Sequence, residues 1–390
     1  MYKLISFALS ILLMSAACAA GSGECLAPKS LESEIQSHPS AALYGELGNW
    51  FVIHNQSLCA VETFRAGLRL VPDSADLWYL LGLTLNANGD VKDAIAPLQQ
   101  AIRIEPKNIE FHLLLGAAFN ELQQREQAIR AFEHVLAIDR HSIPALDALS
   151  KSLIGLGRYR RTIQLLRSAP RDESLTLDLA QAYHKAHLLP QSVQVLLPAV
   201  RKNPLSASLS LELVAVYLDQ KRYPDALQLA EKTLRLHPDL PETQELYLHT
   251  LVLNHNLDKA RTFAQTLLLR RPHDFRIVYW KGVLEREMGQ YEIARRYLEE
   301  AVALNPADSN ARYNLGIVLS ELGDYAEAEN ELQKSLTLCA GVNEPQVRYH
   351  LASVLHSMGE IEQAKKQFKL TEKELQVNAS KKSAYPMQGC

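Results

Sequence analysis

Apolar residues return at three- and four-residue steps along most of this chain, and residues 75–106, ADLWYLLGLTLNANGDVKDAIAPLQQAIRIEP, show the pattern most clearly. That spacing gathers apolar side chains on one helical face. The stretch therefore reads as two amphipathic helices with Gly89-Asp90 as the turn between them. Its closing proline recurs. Pro72 and Pro106 are 34 residues apart, and the same step separates Pro204, Pro238, Pro272 and Pro306. A fixed period of this length, with small residues at matching offsets, marks a tandem array of helix–turn–helix units.

Each copy is counted from two or three residues after the proline. Small residues at the eighth and twentieth places let the two helices approach. Large apolar residues at the fourth, seventh, eleventh and twenty-fourth places fill the space between them. The first copy reads Tyr44, Leu47, Gly48, Phe51, Ala60 and Phe64; the ninth reads Leu315, Gly316, Leu319, Gly323, Ala328 and Leu332. Pro106 to Pro204 spans 98 residues, four short of three periods. The deficit fits best at Ser168-Ala169-Pro170, which predicts a second helix in the fourth copy that stops about one turn early. Either a hinge between sub-arrays or a local repair follows from that. The seventh copy has Leu248 where a small residue is expected, and the eighth has Lys281 and Glu285 at apolar places. Pro190 and Pro224 open second helices, whereas Pro97 and Pro198 fall inside them and predict local kinks.

This register of small, large and proline positions resembles the tetratricopeptide repeat family, over about ten copies from Ala41 to Leu375. The resemblance implies an all-α fold, a right-handed superhelical solenoid of about ten helix–turn–helix repeats. The chain then divides into a leader at residues 1–20, a linker with a short helix at 21–40, repeats 1–4 at 41–172, repeats 5–10 at 173–375, and a polar tail at 376–390.

The leader stands apart. Lys3 is followed by an apolar run from Leu4 to Met14, broken by Ser6 and Ser10, and then by small residues from Ser15 to Ala20. This is the pattern of a secretory signal peptide, too short to span a bilayer comfortably, with cleavage after Ala19 or Ala20. A second reading lipidates Cys18, since Ala16-Ala17-Cys18 resembles the end of a bacterial lipobox, although Ser15 stands where leucine is usual. Membrane attachment would come only through that anchor. Export places the chain in a periplasm, a cell envelope or the medium, which favours disulfides. Cys25 and Cys59 lie at one end and Cys339 and Cys390 at the other, so pairing within each end would tie a tail to a terminal repeat. Four free thiols are the alternative.

Net charge is −3, with Lys+Arg 41 against Asp+Glu 44, so there is no basic field to recommend nucleic acid. The chain contains no HExxH, no phosphate loop and no GxSxG. His184 and His187 lie three apart without further ligands, and the cysteine spacing suits no zinc site. We expect no enzyme activity, no cofactor and no metal. The resemblance instead implies protein or peptide partners, held in a groove lined by the first helices. In the C-terminal half that lining is Arg276, Tyr279, Trp280, Arg286, Tyr313, Asn314, Tyr349, His350 and His356. Aromatic and arginine side chains suit such a role because they offer large contact area with a polar handle. Asn314 matches an asparagine that chaperone-type arrays use to clamp a terminal carboxylate, but the lysines of that motif are absent around it. The expected function is an exported interaction scaffold in an envelope assembly. A rigid or self-associating spacer is one alternative, and a repeat-based enzyme is another.

Overall fold

In a computed structural model, residues 25–338 and 344–383 are described, with side chains to residue 376. The leader with Cys18, together with Cys339 and Cys390, lies outside the described residues. The described residues form helices joined by short turns, with no strand among them. A short helix, α1 (Lys29–Ser37), precedes ten tandem helix pairs that run from Ala41 to Ser383. The chain divides into two compact units, residues 1–199 and 200–390.

Equivalent places can be compared across the pairs when place 1 is set at residues 41, 75, 109, 143, 173, 207, 241, 275, 309 and 345. First helices begin where a capping side chain accepts a backbone N–H. Ser40, Ser74, Asn108, Asp172, Ser206, Asp274 and Asp308 all do so, immediately before place 1. The proline-turn carbonyl just upstream has its own partner in four repeats. Trp78 donates to Pro72 O at 2.8 Å, Gln244 to Pro238 O at 2.6 Å and Arg312 to Pro306 O at 2.9 Å, while the His112 ring meets Pro106 O at 2.9 Å. All four side chains occupy the fourth place, so chemically unlike residues satisfy the same otherwise orphaned acceptor.

The two helices of a pair meet where place 8 faces place 24. A Cβ built on Gly48 would fall 2.1 Å from Phe64, on Gly116 2.4 Å from Phe132, and on Gly316 2.6 Å from Leu332. Any larger residue there would drive the helices apart. The sixth and seventh pairs keep the contact by exchanging the volumes: Val214 and Leu248 at place 8 are matched by Ala230 and Ala264 at place 24, and all four are buried. This is why Leu248 is tolerated.

Each turn inside a pair needs one residue in the left-handed region at place 15. Five repeats supply glycine, as at Gly89 (φ 88°), whose missing Cβ would meet nothing, so backbone conformation alone selects it. The others place Asn55, Gln123, His187, Lys221 and His255 there, with φ of 56° to 59°. Side chains other than glycine pay roughly 1 kcal/mol for this.

In the first unit, Cys25 is disulfide-bonded to Cys59, with Cα atoms 5.7 Å apart. The bond ties the segment before α1 to the second helix of repeat 1, and Ala27, Leu31 and Ile35 pack against that repeat's core. Pro97 is buried inside a helix that runs unbroken from Val91 to Ile104. The second helix of repeat 4, Tyr159–Leu166, has 8 residues where the second helices of repeats 1 to 3 have 14. Ser150 of that repeat donates to the buried carboxylate of Asp178 in the next, and burial pushes the Asp178 carboxyl above its usual range.

In the second unit, Lys281 and Glu285 occupy places 7 and 11 of the eighth pair, filled elsewhere by apolar residues. They are 4% and 2% exposed and bridge each other at 2.7 Å, and Arg261 of repeat 7 closes on the same carboxylate at 2.6 Å. Burial alone would raise the Glu285 carboxyl; hydrogen bonds from Arg261 and Lys281 outweigh it and hold the carboxyl below its ordinary value. The seam between these repeats is therefore an ion triad in place of a leucine layer. Removing Glu285 would leave the buried Lys281 charge uncompensated.

Three substitutions test these features. Ala264→Leu should overpack the seventh pair and cost about 1–3 kcal/mol in denaturant unfolding, and adding Leu248→Gly should recover most of it; a double variant no more stable than the single one would sink the exchange. Lys221→Gly should gain roughly 1 kcal/mol by relieving the left-handed side chain, read as a higher denaturation midpoint.

Candidate functional site: an aromatic and amide ladder on the last repeats

Four consecutive first helices of the second unit, Pro241–Leu253, Phe275–Glu287, Ser309–Leu322 and Glu344–Ser357, carry rings and amides at matching places. Burial on the core side of each helix fixes its rotation, so places 5, 6, 9 and 12 fall on the other side. There the His249 ring stacks on Trp280 at 4.0 Å, and Trp280 meets Tyr279 edge-on at 5.1 Å. The Tyr279 hydroxyl accepts from Asn314 Nδ2 at 3.1 Å. Asn314 also accepts from Arg286, whose other arm reaches Glu287. Tyr313 lies edge-on to His350 at 5.5 Å, and His350 to Tyr349 at 5.7 Å. Tyr349 rests against Phe368 of the last helix. The result is a continuous ladder from repeat 7 to repeat 10.

Most of the predicted groove residues join this ladder, but with different freedom. Tyr349 is 54% exposed, and Tyr279, Trp280 and Tyr313 are half-buried. Asn314 is 6% exposed and gives both amide protons to protein acceptors, Tyr279 and the Asn310 carbonyl at 2.8 Å. It thus braces Arg286 and Tyr279. Arg276 is held to the side, 3.3 Å from Glu245, 3.7 Å from Glu242 and 3.8 Å from Asp274. His356 is exposed near the end of its helix and does not touch these rings. Among the described residues there is no group of three or more metal-capable side chains, and no helix is long and apolar enough to cross a membrane.

The environment keeps the ladder's rings neutral. Burial pushes the Tyr279 hydroxyl up to about 12, helped by Asp308, and burial also raises Tyr313. Burial and then the Arg286 charge lower His350. Burial lowers His249 to about 4, against the pull of Asp219. Reading the sequence from residue 275 onward passes over His249, although it sits at the ninth place of repeat 7, one of the lining places. Glu245 of the same repeat is missed in the same way, and Glu321, at the thirteenth place of repeat 9, was not among the expected residues either. Glu245 is raised by burial, with Arg276 opposing, and the Glu321 charge acts on His350.

Comparison with known families decides the class. Profiles described as tetratricopeptide repeat match residues 59–109, 177–241 and 284–342, residues 85–153 and 217–279, and residues 345–370. The chain belongs to the tetratricopeptide repeat family. Such repeats form a non-catalytic scaffold, and this repeat protein mediates protein–protein contacts through its helices. Among solved structures it is similar to a thermophilic tetratricopeptide repeat protein of Thermus thermophilus, at 25% identity over 46% of this chain and 98% of that one, TM-score 0.40. It is similar also to pilF of Pseudomonas aeruginosa, at 20% identity over 52% and 94%, TM-score 0.43. A third likeness is to the APC/C hetero-tetramer Cut9-Hcn1, at 13% identity over 91% and 84%, TM-score 0.47. A search of curated protein sequences gives no match.

The neutral, half-buried His249 generates a pH prediction for this tetratricopeptide repeat protein. Its folded value of about 4 lies below the ordinary 6.5, so the unfolded chain binds more protons between those limits. Stability is then full above pH ~6.5 and falls as pH drops toward ~4, by up to about 3 kcal/mol. Chemical denaturation of wild type and His249→Gln across that window should show a steeper slope in wild type, the remainder in the variant coming from groups such as His350; equal slopes would remove His249 as a source.

Proposed function

We propose that the protein is an exported scaffold that holds an extended segment of a partner protein on the ladder of repeats 7–10. The observation that carries this is the ladder's continuity. Rings and a guanidinium from successive first helices lie side by side while remaining partly open to solvent. Core burial is taken up by the contact of each repeat with its neighbours, so surface rings of this size are left for recognition. Trp280 is the central anchor, with its face backed by His249 and its edge by Tyr279. Rigid backing lowers the ordering cost of binding. Export is supported by the signal-peptide pattern of the first twenty residues and by the Cys25–Cys59 disulfide, a bond suited to an oxidising compartment.

Crosslinking in native cells, followed by capture of the full chain, tests both parts. Partners should be recovered from the envelope or secreted fraction, and Trp280→Ala should reduce their recovery about tenfold while circular dichroism stays unchanged. Recovery of the chain from the cytosol with reduced Cys25 and Cys59 would overturn export. An undiminished partner set with the Trp280 variant would overturn the ladder as the binding face.

A further inference from the structure

The fifth place is tyrosine in three consecutive repeats, as Tyr279, Tyr313 and Tyr349. The first helices that carry them touch one another in sequence. Packed helices lie about 8–10 Å apart, so the three tyrosines recur at roughly that step across the face. One turn of a polyproline II helix advances about 9 Å in three residues. The two periods match, so an extended segment in that conformation would bring every third residue against a tyrosine. An extended β-strand, with alternate side chains about 7 Å apart on one face, would drift out of register over the same distance. Proline rings pack well on aromatic walls, and their locked backbone keeps the ordering cost low.

Charge narrows the partner further. Beyond the helix-capping Asp274 and Asp308, five carboxylates act on or bond to ladder residues: Asp219 on His249, Glu242 and Glu245 on Arg276, Glu287 on Arg286, and Glu321 on His350. Only two cations, Arg276 and Arg286, stand among them, and each is already paired with a carboxylate. The rings themselves are neutral. The face is thus net acidic and complements a basic ligand. We propose that the ladder takes a proline-rich, basic segment in the polyproline II conformation, laid across the first helices of repeats 8 to 10 with its prolines on the three tyrosines. This rests on the reading of the ladder as a peptide-binding face and names the chemistry of what binds.

The test titrates the full chain with a synthetic peptide of four Pro-Pro-Arg triplets, by fluorescence anisotropy. Two controls replace every proline by alanine or every arginine by glutamate. The proline-arginine peptide should bind, and both controls should bind at least about tenfold more weakly. Tyr349→Ala, at an exposed ring whose loss leaves the core intact, should weaken the parent peptide about tenfold, as should Tyr313→Ala if circular dichroism shows it folded. Raising the salt concentration should weaken binding further. No binding of the parent peptide, equal binding of the alanine control, or indifference to Tyr349→Ala would overturn the proposal. Native partners that still depend on Trp280 would in that case leave the ladder as a peptide face for another chemistry, and partners independent of Trp280 would remove both.

Discussion

Five helix pairs in this protein are closed by one steric contact, a glycine at the eighth place against the twenty-fourth. Where glycine fills the first, phenylalanine or leucine fills the second, and a single added Cβ would overlap the opposing ring or branch. Protein interiors are packed too densely to absorb that overlap without movement. The contact therefore sets how closely two helices approach, and with it which of their faces remain for the next repeat. The sixth and seventh pairs show that the constraint is on summed volume and not on identity. Val214 and Leu248 have moved the bulk to the first helix, and alanine at 230 and 264 makes room for it.

The rest of each repeat follows from holding that contact in place. A left-handed residue turns the chain back in every pair, a side-chain cap starts seven of the first helices, and in four repeats a side chain from the fourth place covers the carbonyl at the proline turn. Ion pairs such as Arg158 with Glu126 and Arg295 with Glu327 link second helices of successive repeats. They are solvent-exposed and worth at most about 1 kcal/mol each. The Lys281–Glu285–Arg261 triad is different, because it lies inside the seam and its members depend on one another. Once these demands are met, the outward places of the first helices are nearly free of structural duty. In repeats 7 to 10 they are filled with rings, an amide and a guanidinium, which form the ladder.

The placement of the ladder was partly readable in advance. Tyr279, Trp280, Tyr313, Tyr349 and His350 occupy lining places that the family resemblance implies, and the structure joins them in one ladder. Periodicity could not separate Asn314 from them, since its place is the same; only its hydrogen bonds to Tyr279 and Asn310 show it to be a brace. Nor could it show that Arg276 is occupied by Glu242 and Glu245, because those residues belong to the preceding repeat. His249 had the right place and was hidden only by its solitary position in a repeat without other aromatic residues on that face.

The period of the prolines and small residues was enough by itself to determine the number of helix pairs and the shortened helix before Pro170. These are local matters of helical phase and of residues that cannot continue a helix. What Lys281 and Glu285 do inside a core, how Leu248 is accommodated, and which rings stack on which were decided only by tertiary structure. Each of those depends on a partner in the facing helix or the next repeat, brought close by stacking, and on whether it supplies a charge, a gap or a flat face.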